Sequence, residues 1–253
     1  MIPKTDDGRV LFAIPWYGMV VVGTTDTPLD TVTLEPRALD QEIDFILRTA
    51  GKYLTRPPDK KDIKCLFAGL RPLAANPDNP AATKEVSRRH KITLSSSGLL
   101  SIIGGKWTSY RLMAEETIDR AIKAGIIEKK KCLTRKFSFY SNNKHLKSDR
   151  LKIYGDQADE IEKIINDYPD LGDLIHPGLP YTRAEIIWIC RNEMPLTVED
   201  MLARRTRALF LDARVSREAG PVVAELMAKE LGFNKSWQET EILKYNELVI
   251  NYL

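Results

Sequence analysis

Residues 99–111 read Leu-Leu-Ser-Ile-Ile-Gly-Gly-Lys-Trp-Thr-Ser-Tyr-Arg, and the rest of the chain is organised around them. The apolar, strand-like run 99–103 stops at Gly104-Gly105, and a helical spacing follows through Tyr110, Leu112, Met113, Ile118 and Ile122. The order is strand, tight turn, helix. Paired glycines adopt backbone torsions closed to other residues and let the chain approach a ligand, while Thr108 or Ser109 can satisfy free amides of the first helical turn. A helix start carries partial positive charge, and Lys106 adds a full one, so the segment has the makings of an anion site. A plain strand-to-helix joint with an exposed lysine is the alternative reading of these residues alone.

Upstream, residues 9–15 and 19–24 are β-rich runs separated by Trp16-Tyr17-Gly18, a hairpin pattern. Residues 35–54 change to helical spacing through Leu39, Ile43, Ile46, Leu47 and Tyr53, with Pro36 in the first turn and Arg56-Pro57-Pro58 as the stop. Residues 63–73 and 85–95 read as two further strands ahead of the glycine turn. From about residue 150 the runs become helical: 151–168, 183–194, 198–211, 217–231 and 237–252, with breaks at Pro169, at 177–180 and near Pro195. The pattern predicts an α+β fold: an antiparallel-sheet substrate-binding portion over 1–125, a linker over 126–148 and an all-α C-terminal domain over 149–253.

With 253 residues, 43% of them hydrophobic, the chain can build real cores. Thirty-eight basic against 35 acidic residues leave a net charge of +3, too small to argue for nucleic acid. Cys65, Cys132 and Cys190 are far apart and form no C-x-x-C, which speaks against a zinc ribbon or a disulfide framework and for a reducing compartment. The first residues hold no apolar signal core, and no segment approaches about 18 uninterrupted apolar residues. The spacing of His90, His145 and His176 matches no metal site, so no metal is expected.

Three cations stand in the first half where they can converge: Arg71 in Ala-Gly-Leu-Arg-Pro-Leu, Arg88 in Val-Ser-Arg-Arg-His, and Lys106 at the glycine turn. Guanidinium forks match phosphate or carboxylate oxygens in pairs, so the three together would hold a dianion. Pro72 removes a ladder donor directly after Arg71 and puts that arginine at a sheet rim. Singly, each arginine reads as an ordinary solvated or salt-bridged one. Trp16, Trp107, Trp188 and Trp237 read most simply as packing residues, with Trp107, next to Lys106, also able to border a planar ligand. The basic run Ala203-Arg204-Arg205-Thr206-Arg207, with Arg214 and Arg217, reads as a locally paired helical face or an approach to an acidic membrane surface. No two glycines fall at i and i+2, which removes the G-x-G-x-x-G fingerprint and with it dinucleotide binding by this chain alone through a Rossmann unit. A P-loop is likewise absent.

The blocks 7–16, Val22-Gly23-Thr24-Thr25-Asp26-Thr27, Phe67-Ala68-Gly69-Leu70-Arg71-Pro72-Leu73, Ser87-Arg88 and 103–111, continued by Glu193-Met194, 197–207 and 211–214, resemble the C-terminal half of the FAD-dependent glycerol-3-phosphate dehydrogenases, flavoproteins of the D-amino-acid oxidase-like superfamily. The resemblance covers nearly the whole chain and leaves out the family's N-terminal FAD-binding half. It implies that Arg71, Arg88 and Lys106 bind the substrate and its phosphate, with Arg71 and Lys106 in the catalytic set. It also implies that Gly104, Gly105, Lys106, Trp107 and Thr108 lie at the flavin, where the helix start stabilises negative charge developing on the ring. By the same resemblance FAD accepts hydride from sn-glycerol 3-phosphate to give dihydroxyacetone phosphate, and electrons pass on to quinone. The family's candidate base lies in the half that is missing, so the isolated chain is expected to be inactive. A cytoplasmic protein, peripheral on the inner face of the cell membrane and open to homodimer formation, completes the expectation. Tyr17, Arg89-His90 and Ser109 depart from the family pattern. Two alternatives stay open: a related oxidase that uses oxygen, and a non-catalytic phosphate-binding or interaction module.

Overall fold

A computed structural model describes residues 1–3, 5, 6, 8, 10–71, 90–138 and 149–253. The chain forms two compact units, one of Met1–Thr27, Thr31–Gly69 and Asn142–Leu253, the other of Pro28–Asp30 and Leu70–Ser141. Two small antiparallel sheets precede a wholly helical C-terminal region, so the fold is α+β with a helical C-terminal domain.

In the first unit, β1 (Phe12–Trp16) and β2 (Met19–Gly23) form the expected hairpin, with Phe12 opposite Gly23 and Trp16 opposite Met19. Both turn residues, Tyr17 (φ 48°) and Gly18 (φ 78°), are left-handed, which a tight two-residue hairpin requires. Helix α1 (Asp40–Gly51) lays Phe45 and Ile46 against Ile2, Leu11, Ala13 and Val22. It starts later than the periodicity suggests: Glu42 accepts the Leu39 amide at 3.0 Å, so Pro36 lies ahead of the helix rather than in its first turn.

Residues 63–71 form no strand, contrary to the sequence reading. Their backbone groups bond helical segments instead, with the Lys64 carbonyl accepting from the Ala213 amide and the Leu66 amide donating to the Tyr252 carbonyl, both at 3.0 Å. An apolar run can thus be extended without belonging to a sheet, because its hydrogen bonds go elsewhere. Residues 72 and 73 lie outside the described residues.

The helical region is built from α3 (Ala158–Asp167), α4 (Arg183–Asn192), α5 (Ala208–Leu211), α6 (Ala213–Leu231) and α7 (Lys235–Val249). Helix α4 is buried almost all round, from Ala184 through Cys190. Each of Ile186, Ile187, Ile189 and Trp188 so buried contributes about 1.5–3 kcal/mol. Thr182 and Glu185 cap this helix reciprocally, the Thr182 amide donating to Oε2 of Glu185 at 2.8 Å. Asp212 caps α6 by accepting the Arg214 and Val215 amides, and Gly232 (φ 74°) ends it. A Cβ at Gly220 would lie 3.5 Å from the Tyr245 ring, so α6 and α7 pack closely there. The segment 198–211, expected as one helix, is divided. A π turn over Asp200–Arg205 closes with the Thr206 amide on the Met201 carbonyl at 2.9 Å, and Arg207 turns left-handed (φ 61°) before α5 begins.

In the second unit, β3 (Lys91–Leu94) pairs with β4 (Leu100–Ile103), Lys91 opposite Ile103 and Leu94 opposite Leu100. Only 91–94 of the expected strand 85–95 is strand among the described residues, and 85–89 lie outside them. After the glycine turn comes a short 3₁₀ turn, Trp107–Ser109, and then α2 (Tyr110–Lys123). The glycine turn therefore joins a two-stranded ribbon to a helix.

Candidate functional site

Strand β4 ends at Ile103, where Gly104 (φ 76°) and Gly105 (φ 89°) both enter the left-handed region that glycine alone occupies freely. A Cβ at Gly105 would fall 2.6 Å from Sδ and Cε of Met113 and 3.2 Å from Cβ of His90, so the turn is also pressed into a slot too narrow for a side chain. Lys106 follows, exposed, with no acid paired to it among the described residues. Trp107 is 87% exposed and stacks on Tyr110 with ring centroids 5.7 Å apart. A large aromatic so open to solvent presents a flat apolar face to whatever binds beside Lys106.

The helix start differs in detail from the sequence reading. Neither Thr108 nor Ser109 caps it with a side-chain acceptor. The Ser109 hydroxyl donates to the Lys106 carbonyl at 2.9 Å, as does the Ser109 amide, and the Tyr110 amide goes to Trp107. The amides of Trp107 and Thr108 precede any acceptor of their own turn and remain the donors the helix start offers. The anion-binding potential thus sits on residues 106–108, ahead of α2.

Gly104, Gly105, Lys106, Trp107 and Thr108 are consecutive, the two glycines half-buried and the three residues after them exposed. Arg71 is exposed and belongs to the same unit. It stands on irregular chain, not at a sheet rim. Arg88 lies outside the described residues, so the convergence of three cations stays an expectation. The basic run at 204–207 is mainly engaged locally: Arg204 bonds Glu199 at 2.6 Å and Asp200 at 3.3 Å, and Arg205 donates to the Glu193 carbonyl at 2.7 and 2.9 Å.

Sequence reading missed two features around α2. His90, 15% exposed in its side chain, places Nε2 2.5 Å from a Glu116 carboxylate oxygen. Glu115, with its side chain 8% exposed, holds both Arg111 (2.8 Å) and Arg135 (3.0 Å). Arg111, foremost, and then Arg135 keep the Glu115 carboxyl below the ordinary carboxylate range. The Arg111–Glu115 spacing of four on a helix was a signal in the sequence. The partners 20 or more residues away were not.

A cleft of about 590 Å³ lies between α2 and residues 127–134, walled by Ile118, Ile122, Ile127 and Leu133 with Lys130 and Lys131 beside them. Among the described residues no group of His, Cys, Asp and Glu is placed to hold a metal ion, and no helix is long and apolar enough to cross a membrane.

A protein-family model described as the C-terminal domain of alpha-glycerophosphate oxidase matches residues 100–239, more than half of the chain. The chain belongs to that family. It is 36% identical to the mitochondrial glycerol-3-phosphate dehydrogenase of Bos taurus over 95% of its own length and 36% of the relative's. The probable mitochondrial glycerol-3-phosphate dehydrogenase of Caenorhabditis elegans is also 36% identical, over 96% of this chain and 36% of that protein. The chain therefore spans about a third of the length of the curated relatives it matches. Among solved structures, the glycerol-3-phosphate dehydrogenase of Bacillus halodurans in complex with FAD superposes with a TM-score of 0.70 at 24% identity, over 97% of this chain and 52% of that one. That likeness confirms the fold.

Proposed function

We propose that this chain is the C-terminal portion of a flavoprotein that oxidises sn-glycerol 3-phosphate to dihydroxyacetone phosphate. The observation that carries the reading is the double left-handed glycine turn at the end of β4, which thrusts Lys106 and the 87%-exposed Trp107 outward in a chain of this family. The substrate follows from the relatives, which are glycerol-3-phosphate dehydrogenases, and the cofactor from the Bacillus halodurans relative, whose structure holds FAD.

The residues present fit such a cofactor: two positions without side chains, two free amides and an open aromatic face lie together at a helix start. Gly104, Gly105, Lys106, Trp107 and Thr108 would meet its ring, and bound FAD would supply the acceptor for hydride leaving C2 of the substrate. Lys106 carries the charge that binds the substrate phosphate, and Arg71 and Arg88 are the residues assigned to add planar forks to it. The amides of Trp107 and Thr108 lower the energy of negative charge developing next to them, at no cost in reorganisation. None of these residues takes the proton of the C2 hydroxyl, a task this reading leaves to the rest of the protein. In the same reading 1–125 is the substrate-binding portion, 126–148 a linker, and 149–253 the helical domain, and the chain alone is inactive.

Quinone is the proposed electron acceptor, with oxygen as the rival. Hydrogen peroxide yield on adding glycerol 3-phosphate to the complete protein separates them: near zero with quinone reduced supports the dehydrogenase, and stoichiometric peroxide supports the oxidase. No oxidation of glycerol 3-phosphate with either acceptor would sink the reading.

A peripheral place on an anionic membrane, carried by residues 126–137, is part of the proposal. There Ile126 (51%), Leu133 (77%) and Phe137 (65%) stand exposed among Lys129, Lys130, Lys131 and Lys136. Apolar side chains ringed by lysines complement the acyl and headgroup layers of an acidic lipid surface. Vesicles with and without phosphatidylglycerol test this: co-sedimentation only with the anionic ones, weakened by salt, supports it, and equal behaviour with both counts against it.

A further inference from the structure

Three elements that carry the proposed site meet at one side chain, His90. Lys91 pairs with Ile103, so one rung further along the ribbon His90 stands opposite Gly104. Its Cβ lies 3.2 Å from where a Gly105 Cβ would be, and its ring reaches Glu116 on α2 at 2.5 Å. Met113, one helical turn before Glu116, fills the other side of the slot. The glycine turn is thus gripped between two side chains, one belonging to α2 and the other tied to it.

We propose that His90, held by Glu116, is a positioning residue that fixes the Gly104-Gly105 turn and, through it, the Lys106 ammonium. Two adjacent glycines have the widest backbone freedom of any dipeptide, so nothing inside the turn itself prevents Lys106 from wandering. The constraint has to come from outside. A carboxylate-bonded ring with its side chain only 15% exposed cannot swing away without giving up that bond, so it keeps the slot closed on the glycine backbone. Its role is indirect, since it acts on the anion only through the turn.

The inference rests on the functional reading above, and its test has two arms. In the complete protein, His90→Leu should raise KM for glycerol 3-phosphate about tenfold while kcat stays within about twofold, because a displaced Lys106 weakens phosphate binding more than the chemical step. Glu116→Gln should move KM in the same direction, the double variant should be no worse than His90→Leu alone, and His90→Gln, which keeps a donor, should recover most of the loss. KM unchanged in both single variants, or a loss of thermal stability without a change in KM, overturns the proposal. The second arm needs no activity. Backbone 15N order parameters at 104–106 in this chain should fall from the rigid range, about 0.85, to below about 0.6 in His90→Leu, with α6 unchanged, and equal order parameters overturn it as well. If the unsubstituted complete protein fails to oxidise glycerol 3-phosphate, the functional reading falls while the order-parameter arm still decides the positioning role.

Discussion

The helical region and the glycine-turn region treat their apolar side chains in opposite ways. Trp188, Ile186, Leu202, Leu209 and Met227 are at most 2% exposed, and α4, α6 and α7 each start on a side-chain cap, Thr182, Asp212 and Asn234. Around the glycine turn, Leu99 is 65% exposed, Trp107 87%, Ile103 44%, Ile118 51% and Leu133 77%, and α2 buries only Ala121. Both regions carry helices with apolar residues at helical spacing, so the difference lies in what the apolar faces have to pack against. One region completes its own core. The other exposes the faces that a flavoprotein's remaining part and a lipid surface would cover.

If that contrast is real, the largest losses follow substitution in the helical core. Trp188→Ala removes a 2%-exposed ring that donates to Glu160 at 2.8 Å and packs edge-on to Tyr154, so urea unfolding should show a loss of about 3–5 kcal/mol. Trp107→Ala at the exposed corner should cost almost nothing by the same measure, and equal losses would break the comparison. Next in size, Glu185→Ala should cost about 3 kcal/mol. It leaves the buried Tyr154 hydroxyl (3.1 Å) without its acceptor, strips half-buried Arg150 of its carboxylate (2.6 Å) and leaves it the Pro180 carbonyl, and removes the cap of α4.

Effects at the turn should appear in binding. Lys106→Ala in the complete protein should weaken glycerol 3-phosphate by about 1.5–3 kcal/mol, the scale of a charged hydrogen bond, with unfolding midpoint unchanged. Unchanged kinetics in both Lys106→Ala and Arg71→Ala would contradict the phosphate assignment.

Acid should loosen the same unit. Glu115 is held below its unfolded value by Arg111 and Arg135, so its contribution is complete above the ordinary carboxylate range and is lost as pH falls through the lowered value. Amide protection factors in α2 and at 134–136, corrected for the intrinsic pH dependence of exchange, should therefore fall below about pH 4 and be constant from there to neutrality. The smallest effect is chemical. Burial pushes the Cys65 and Cys190 thiols up to about 12, so at pH 8 an alkylating reagent should label Cys132 first. Rapid labelling of all three would mean the helical core opens far more readily than its packing implies.

Periodicity and punctuation made much of this legible. The hairpin around Tyr17-Gly18, the glycine turn between β4 and α2, and the proline-bounded helices all follow from local rules that leave marks in a few consecutive residues. The stretch 63–71 is not legible because distant partners, Ala213 and Tyr252, take its hydrogen bonds, and the break at Thr206-Arg207 is not because a one-residue slip of the local bond to the Met201 carbonyl leaves no mark in the hydrophobic spacing. The same holds at the site. Gly104 to Thr108 could be read directly, whereas the grip of His90 and Glu116 joins residues 26 apart and shows only in three dimensions.

A crystal structure of the complete protein with FAD and glycerol 3-phosphate tests the central claim most directly. The account predicts phosphate oxygens within hydrogen-bond reach, about 3.2 Å, of Lys106, Arg71 and Arg88, with the flavin ring against residues 104–108. A phosphate bound elsewhere, with Lys106 turned to bulk water in the filled site, would contradict it.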